Sequence, residues 1–157
     1  MRITETGIIE LDGIDKIILN AMMDDAKAPV AQIAREVGVS STAIHQRIKK
    51  LDESGLIEST KTYINPKKLG YTTIAYVGVF LDKSSQYTSV VSSLKELPEV
   101  VECHFTTGNY ALFIKILCKN NDHLMHILNV GIQQIEGVNR TETFISLEQG
   151  IQRQVKL

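Results

Sequence analysis

Between Ser40 and Lys50 the chain reads SSTAIHQRIKK, which crowds hydroxyls, an imidazole, a carboxamide and three cations into eleven residues. Ile44, Ile48 and Leu51 recur at helical spacing, so a helix here buries that stripe and turns Thr42, His45, Gln46 and Lys49 outward. Arg47 and Lys50 fall on the flanks. A Gln can meet the adenine edge through two hydrogen bonds and a Lys suits guanine, which makes His45, Gln46 and Lys49 the candidate base readers. Ser40, Ser41 and Thr42 stand where hydroxyls and helix-start amides reach phosphates. Lys50 and Arg47 suit backbone contacts, with an internal ion pair as the alternative for Arg47. This is chemistry for reading a duplex.

A second concentration lies at Thr106-Thr107-Gly108-Asn109-Tyr110. Two hydroxyls, a carboxamide, a phenol and a glycine that admits close backbone approach could hold a small zwitterion. A plain hairpin tip built of turn-favouring residues is the competing reading, and residue chemistry alone leaves it slightly ahead. His123 and His126 share a helix face at i, i+3, but neither a Cys nor a close carboxylate cluster completes a tetrahedral set, so no metal is expected. No nucleophile motif, phosphate-binding Gly loop or paired carboxylates can be read from the spacing, so no catalysis and no cofactor are expected. Cys103 and Cys118 lie in apolar runs and are expected as buried reduced thiols, since a hairpin about Gly108-Asn109 sets Cys103 opposite Ile114.

The elements that must position these groups follow from caps and periods. Asp12 caps a first helix, with Asp15 in its first turn and Ile14, Ile17, Ile18, Ala21 and Met22 on one face. Pro29 opens a second helix with Val30, Ile33, Ala34 and Val37 inward; Gly38 ends it, and Val39 plugs the turn. Ser40 or Ser41 starts the third helix and Gly55 stops it. The extended segment from Leu56 runs to Ile64, and Asn65-Pro66 breaks the pattern. Tyr71–Leu81 then reads as a strand, and Ser84 or Ser85 opens a helix with Tyr87, Val90, Val91 and Leu94 on one stripe. Val100–Thr107 and Tyr110–Cys118 read as a hairpin. Asn121 or Asp122 caps a helix with Leu124, Leu128, Ile132 and Ile135 inward, and Val138–Leu147 is a last strand. The order β-α-β-β-α-β is the ferredoxin-like split motif, with one sheet face left to pack on a second copy.

The expected organisation is α+β: a (winged) helix-turn-helix domain at 1–60, a linker strand at 61–70, and a ferredoxin-like domain at 71–157. A formal charge of −1 over 157 residues excludes a globally basic nucleic-acid binder. Residues 1–65 carry eight Lys/Arg against ten Asp/Glu, yet residues 26–51 hold five cations against Glu36 alone. Basic charge therefore gathers where DNA would dock. Met1–Leu11 lacks a basic start followed by an apolar run, and no run of 18 apolar residues occurs; a cytoplasmic protein is expected.

Beyond its residue chemistry, the chain resembles the Lrp/AsnC (leucine-/asparagine-responsive) family of transcription regulators. LDGIDKIIL, AREVGVS, HQRIKKLDESGLI, NPKKLGY and TTGNYALFIKI each resemble a family landmark in order and spacing, from Leu11 to Leu147. TTGNY with LFIK, and TETFISL, look more like the asparagine-responsive branch. The resemblance implies a RAM-type ferredoxin-like domain, a homodimer assembling further, often to an octamer, and an amino-acid effector at the contact between dimers. Its candidate ligands are Thr106, Thr107, Gly108, Asn109, Tyr110 and Gln133, with Thr141, Glu142 and Thr143 from a neighbouring subunit. Many members carry a Gly-Asp-Tyr-Asp pattern where this chain has Gly108-Asn109-Tyr110-Ala111, so two carboxylates that would meet an ammonium group are missing. A neutral site leaves room for a carboxamide, which favours asparagine or glutamine. The competing functions are a sirohaem-decarboxylase-like enzyme, for which Arg140, Arg153, His104 and His123 are scattered, and a ligand-binding module without a DNA role.

Overall fold

The computed structural model describes residues 1–157, the side chain of Ile3 excepted. The chain forms two compact units, Met1–Tyr63 with Gln152–Leu157, and Ile64–Ile151. The last six residues thus group with the first unit rather than with the second domain, where the sequence boundaries put them; Leu157 exchanges two hydrogen bonds with the Asn20 side chain, 3.1 and 3.2 Å.

In the first unit, β1 (Arg2–Ile3) pairs antiparallel with β2 (Ile9–Glu10), and three helices follow: α1 (Gly13–Asp24), α2 (Val30–Val37) and α3 (Ser41–Glu53). Their ends are set by local chemistry. The Asp12 carboxylate accepts the Asp15 N–H (2.9 Å) and the Asp15 carboxylate accepts the Asp12 N–H (3.2 Å), a reciprocal cap of the type a Ser/Thr–Glu pair makes. Gly38 ends α2 at φ 77°, a left-handed conformation that favours glycine, and Ser40 Oγ then accepts from Ala43 N. Ile18, Leu19, Ile33, Ala34, Ile44 and Leu51 form the core, with Val37, Val39 and Ile48 packed around it.

Two expectations change here. The inward face of α1 is rolled from the one read off the apolar spacing: Ile17 is 38% exposed, whereas Leu19 and the carboxylate-bearing Asp15 are buried. The expected strand at 61–70 is not formed. Residues 61–65 have no regular structure, and Pro66–Leu69 is a 3-10 turn capped by Asn65 and closed by Gly70, because Pro66 has no N–H to give a ladder. Among the described residues this unit's two-stranded ribbon precedes α1, so no wing follows the third helix.

The second unit contains β3 (Thr73–Leu81), a 3-10 turn (Ser84–Gln86) running into α4 (Tyr87–Lys95), β4 (Val100–Phe105), β5 (Leu112–Cys118), α5 (Asn121–His126) continuing as a π-turn (Ile127–Ile132), and β6 (Val138–Ser146). The antiparallel sheet has the order β4-β5-β3-β6, the ferredoxin-like arrangement. Ala75, Val77, Val79, Leu112, Ile114, Ile116 and Cys118 alternate onto one face, against Val90, Leu94, Leu124, Ile127 and Ile132 of the helical elements. The intervening positions, Tyr76, Gly78, Phe80, Phe113 and Lys115 among them, point to the other face. No helix of the described residues is long and apolar enough to cross a membrane.

The Cys103–Ile114 pairing is as expected, but the hairpin is looser: β4 stops at Phe105 and β5 starts at Leu112, leaving 106–111 as a loop rather than a two-residue turn. Ala111 N donates to Val79 O of β3, while Ala111 O accepts from Thr106 N on the β4 side. Cys103 is exposed, not buried, because β4 is an edge strand; Cys118 is buried, and both are free. The cap of α5 is Asn120, whose side chain accepts His123 N at 2.8 Å, one residue before the expected position.

Candidate nucleic-acid interface and effector loop

The third helix presents what the sequence required of it. Ile44 and Leu51 are fully buried, while Ser41, Thr42, His45, Gln46, Lys49 and Lys50 are exposed on the other side. Ser40 occupies the cap, and the free amides of the first turn lie beside the Ser41 and Thr42 hydroxyls. Lys49 Nζ stands 3.7 Å from Glu53 Oε1, with both side chains more than 60% exposed. A solvated i,i+4 pair of that kind contributes about 0.5 kcal/mol or less, so Lys49 is free to swing to a base or phosphate.

Arg47 does not join this face. Its Nη1 donates to Asp12 Oδ2 and to Asp15 Oδ1, each at 2.7 Å, which is the internal ion pair and not the phosphate contact. The physical reason is Asp15, whose side chain is 2% exposed and needs a counter-charge there. The Met1 α-amino group also approaches Asp15 Oδ2, at 2.8 Å. The Arg47 guanidinium, with the Asp15 N–H second, holds the Asp12 carboxyl well below the usual carboxylate range, and the two carboxylates raise Arg47 in return. Ala43, Gln46, Arg47 and Lys50 line one side of a cavity of about 260 Å³ whose other wall is Met1, Asp12 and Asp15. The sequence showed Asp12 and Asp15 only as cap residues. Asp15 falling on the buried stripe, between Ile14 and Ile18, was the signal for a partner.

In the second unit the loop residues Thr106, Thr107, Gly108, Asn109 and Tyr110 stay together by contiguity. Thr106 Oγ1 donates to Tyr110 O at 2.8 Å, and Thr106 N donates to Ala111 O. Thr107, Gly108 and Asn109 are exposed. Tyr110 is a correction: its ring leaves the tip and lies flat on Gly78 of β3, where a Cβ would stand 2.6 Å from ring carbons. Phe80 meets it edge-on at 5.2 Å, Phe113 stacks at 5.9 Å, and its hydroxyl donates to Glu142 Oε2 at 3.0 Å. Desolvation, with Glu142 second, pushes the phenol above its ordinary value. A glycine within a strand signals such an approach, and the sequence reading did not use it.

Gln133 is aimed by the π-turn, whose closing bond runs from Gln133 N to Leu128 O, and its Nε2 donates to Thr141 Oγ1 at 3.0 Å. Thr141 and Thr143 pair with Val79 and Val77 and so share the helix-side face, whereas Glu142 between them faces Tyr110 on the other side. Among the described residues no hydrogen bond joins the Gln133–Thr141 pair to the side chains of the loop. Within one chain Gln133, Thr141 and Thr143 therefore lie on the helix side of the sheet and Tyr110 and Glu142 on the other, with Thr106, Thr107, Gly108 and Asn109 in the loop between β4 and β5.

Among the described residues no group of three or more His, Cys, Asp or Glu could hold a metal ion. His123 is half-buried rather than on the surface; its Nδ1 accepts from Lys119 N, and its Nε2 lies 3.3 Å from Glu99 Oε1. Arg140 lies over the Phe80 ring at 3.6 Å.

Residues 11–52 match the AsnC-type helix-turn-helix domain, and residues 74–155 match the Lrp/AsnC ligand binding domain. The chain is similar to the regulatory protein AsnC of Escherichia coli (strain K12), 38% identical over 146 residues that cover 93% of this chain and 96% of that protein. It is also similar to the HTH-type transcriptional regulator FL11 of Pyrococcus horikoshii, 40% identical over 89% of this chain and 91% of that protein. The solved structure of E. coli AsnC superposes with a TM-score of 0.90 at 37% identity, covering 95% of this chain and all of that one. A feast or famine regulatory protein from M. tuberculosis complexed with L-methionine gives 0.84 at 25% identity, covering 94% of this chain and all of that one.

Proposed function

The chain belongs to the Lrp/AsnC family of transcription regulators, and we propose that its α3 reads an operator while a small amino acid at the 106–111 loop resets its assembly. His45, Gln46 and Lys49 face the major groove, with Ser40, Ser41, Thr42 and Lys50 on phosphates. The observation that carries this is the division of α3 itself, aliphatic side sealed in the core and polar, cationic side exposed. One such helix spans few base pairs, so a dimer on a two-fold site is required. The exposed sheet face, with Tyr76, Phe80, Phe113 and Phe144, supplies an apolar surface for the second copy, and larger assemblies up to an octamer build on that dimer. The protein works in the cytoplasm, where its DNA is.

Thr106, Thr107, Gly108 and Asn109 bind the effector, with Gln133, Thr141 and Thr143 completing the site from a neighbouring copy. Support comes from the L-methionine complex of the relative from M. tuberculosis, which establishes an amino acid as ligand in that protein. Asn109 and Ala111 stand where carboxylates would meet an ammonium group, so the amine falls to carbonyls and Gln133, and a carboxamide ligand, asparagine or glutamine, is favoured. Differential affinity for two assembly states then couples ligand to operator.

Two experiments test this. Gln46→Ala with Lys49→Ala should abolish operator recognition while the thermal unfolding of the protein is retained; a double variant that binds as tightly as the parent ends the α3 assignment. Screening the twenty amino acids for a concentration-dependent rise in melting temperature should pick out asparagine or glutamine. Leucine binding with no response to either carboxamide would reject the ligand assignment and leave the DNA assignment standing.

A further inference from the structure

The Arg47–Asp12–Asp15 cluster goes beyond the operator reading and rests on it. Arg47 is the one cation of the recognition helix whose head group is spent inside the unit: a single nitrogen, Nη1, bridges two carboxylates at 2.7 Å each. Those carboxylates are themselves the reciprocal cap of α1, so the bridge joins the flank of α3 to the first turn of α1 at a fixed point. Asp15 is the one buried charged residue among the described residues, and such a group left unpaired is costly, so the bridge is strongly held. Both hydrogen bonds of Nη1 are thus already committed to carboxylates.

The consequence is rotational. Ile44, Ile48 and Leu51 decide which side of α3 faces the core through contacts that are non-directional, whereas the Arg47 bridge fixes one point on its flank. Arg47 sits one residue from Gln46 and three from Lys50, and all three line the same cavity wall. We infer that Arg47, held by Asp12 and Asp15, is a positioning residue that sets the roll of α3 and with it the aim of Gln46 and Lys49, and that it makes no contact with DNA. Lys keeps the charge on a shorter, more flexible stem, so an ammonium bridging the two carboxylates would hold α3 at a different and less fixed reach than Nη1 does.

The test uses the full-length protein, a duplex selected by the parent protein from a random pool, and a duplex of scrambled sequence, each titrated over a salt series. Arg47→Lys should weaken binding to the selected duplex about ten-fold and leave binding to the scrambled duplex unchanged. In Arg47→Gln, which removes the charge that Lys keeps, the slope of log affinity against log salt should stay the same. Lys50→Ala, as the phosphate control, should weaken both duplexes and reduce the slope by about 0.9. Asp12→Asn keeps a good N-cap and should move the selected-to-scrambled ratio in the same direction as Arg47→Lys, so the inference remains testable if the Arg47 variant fails to fold. A slope reduced by about 0.9 in Arg47→Gln makes Arg47 a phosphate ligand and overturns the inference. So does an equal loss on both duplexes at unchanged slope, which is a stability effect, or no loss at all. Failure of the α3 reading itself is separate: Gln46→Ala with Lys49→Ala would then leave the selected duplex bound.

Discussion

Replacing Gly78 by Ala isolates the contact that the sequence reading missed. The residue has an ordinary backbone conformation, so the substitution brings no strain of its own, but the new Cβ would lie 2.6 Å from carbons of the Tyr110 ring. The ring must leave. It then gives up the edge contact with Phe80 at 5.2 Å and the stack on Phe113 at 5.9 Å, each worth about 1 kcal/mol. It also loses the hydroxyl bond to Glu142, at 3.0 Å and solvent-exposed, worth about 1 kcal/mol. Alanine in place of glycine in a strand interior returns about 0.5–1 kcal/mol. The net loss is about 2 kcal/mol, or a fall of about 4–8 °C in melting temperature for a chain of this size. The assay is urea denaturation at one protein concentration, run as a double-mutant cycle with Tyr110→Ala. In the Tyr110→Ala background the same Gly78 substitution should be neutral or stabilising by up to about 1 kcal/mol. An equal loss in both backgrounds, or none in the parent, would refute the view that Gly78 exists to seat Tyr110.

Two further outcomes follow from ionisable groups. Burial, with Glu99 second, pushes the Cys118 thiol up to about 11, whereas Cys103 is exposed on the edge strand; at pH 8 a thiol reagent should label Cys103 in the native protein and Cys118 only on unfolding. Because the folded Cys118 value lies above the unfolded one, near 8.5, its contribution to stability is complete below that pH and is lost as pH rises toward 11; equal labelling rates for the two thiols would contradict the burial. Asp12 shifts the other way: Arg47 depresses its carboxyl, so the stability it contributes is complete above about pH 4 and is lost as pH falls toward the depressed value. Melting temperatures from pH 5 to 2 should fall less in Arg47→Met than in the parent, and parallel curves would show that Arg47 is not the cause.

Much of the fold was legible because its punctuation is chemical. Asp12, Gly38, Ser40 and Gly55 mark helix ends through side-chain acceptors or positive φ, and these are properties of single residues. The strand register was legible for a geometric reason. Cys103 faces Ile114 whether the connection is two residues or six, provided it is centred on Gly108-Asn109, and symmetric lengthening leaves the pairing unchanged. What stayed hidden depends on partners distant in sequence. Asp15 turns inward because Arg47 is 32 residues away, and Tyr110 folds over because Gly78 leaves a gap on another strand. The π-turn that aims Gln133 leaves no mark in the period, since Leu128 and Ile132 sit at the spacing of an ordinary helix. The candidate site was read as a contiguous motif plus two outlying segments. Contiguity survives folding, but side-chain direction along a strand reverses at each residue, so Thr141, Glu142 and Thr143 could not all serve one site in one chain.

That reversal bears on how a ligand at the loop can act. Tyr110 is both the last residue of the candidate effector motif and a member of the aromatic group on the exposed sheet face. Its carbonyl is held by the Thr106 hydroxyl, and the next N–H is held by Val79 O of β3, so the loop is closed across its neck and tied to the sheet where β5 begins. If a ligand binds at Thr106–Asn109, movement that reaches the neck of the loop shifts the Tyr110 ring between Phe80, Phe113 and Phe144. A close-packed aromatic group accommodates such a shift by repacking and not by continuous deformation. If the second copy sits on this face, ligand and assembly are coupled through one ring. A Tyr110→Phe protein, which keeps the ring and loses the Glu142 bond, should then still respond to the effector, whereas Gly78→Ala should bind it with the assembly response weakened. The reverse order would place the coupling in the Glu142 hydrogen bond and not in the packing.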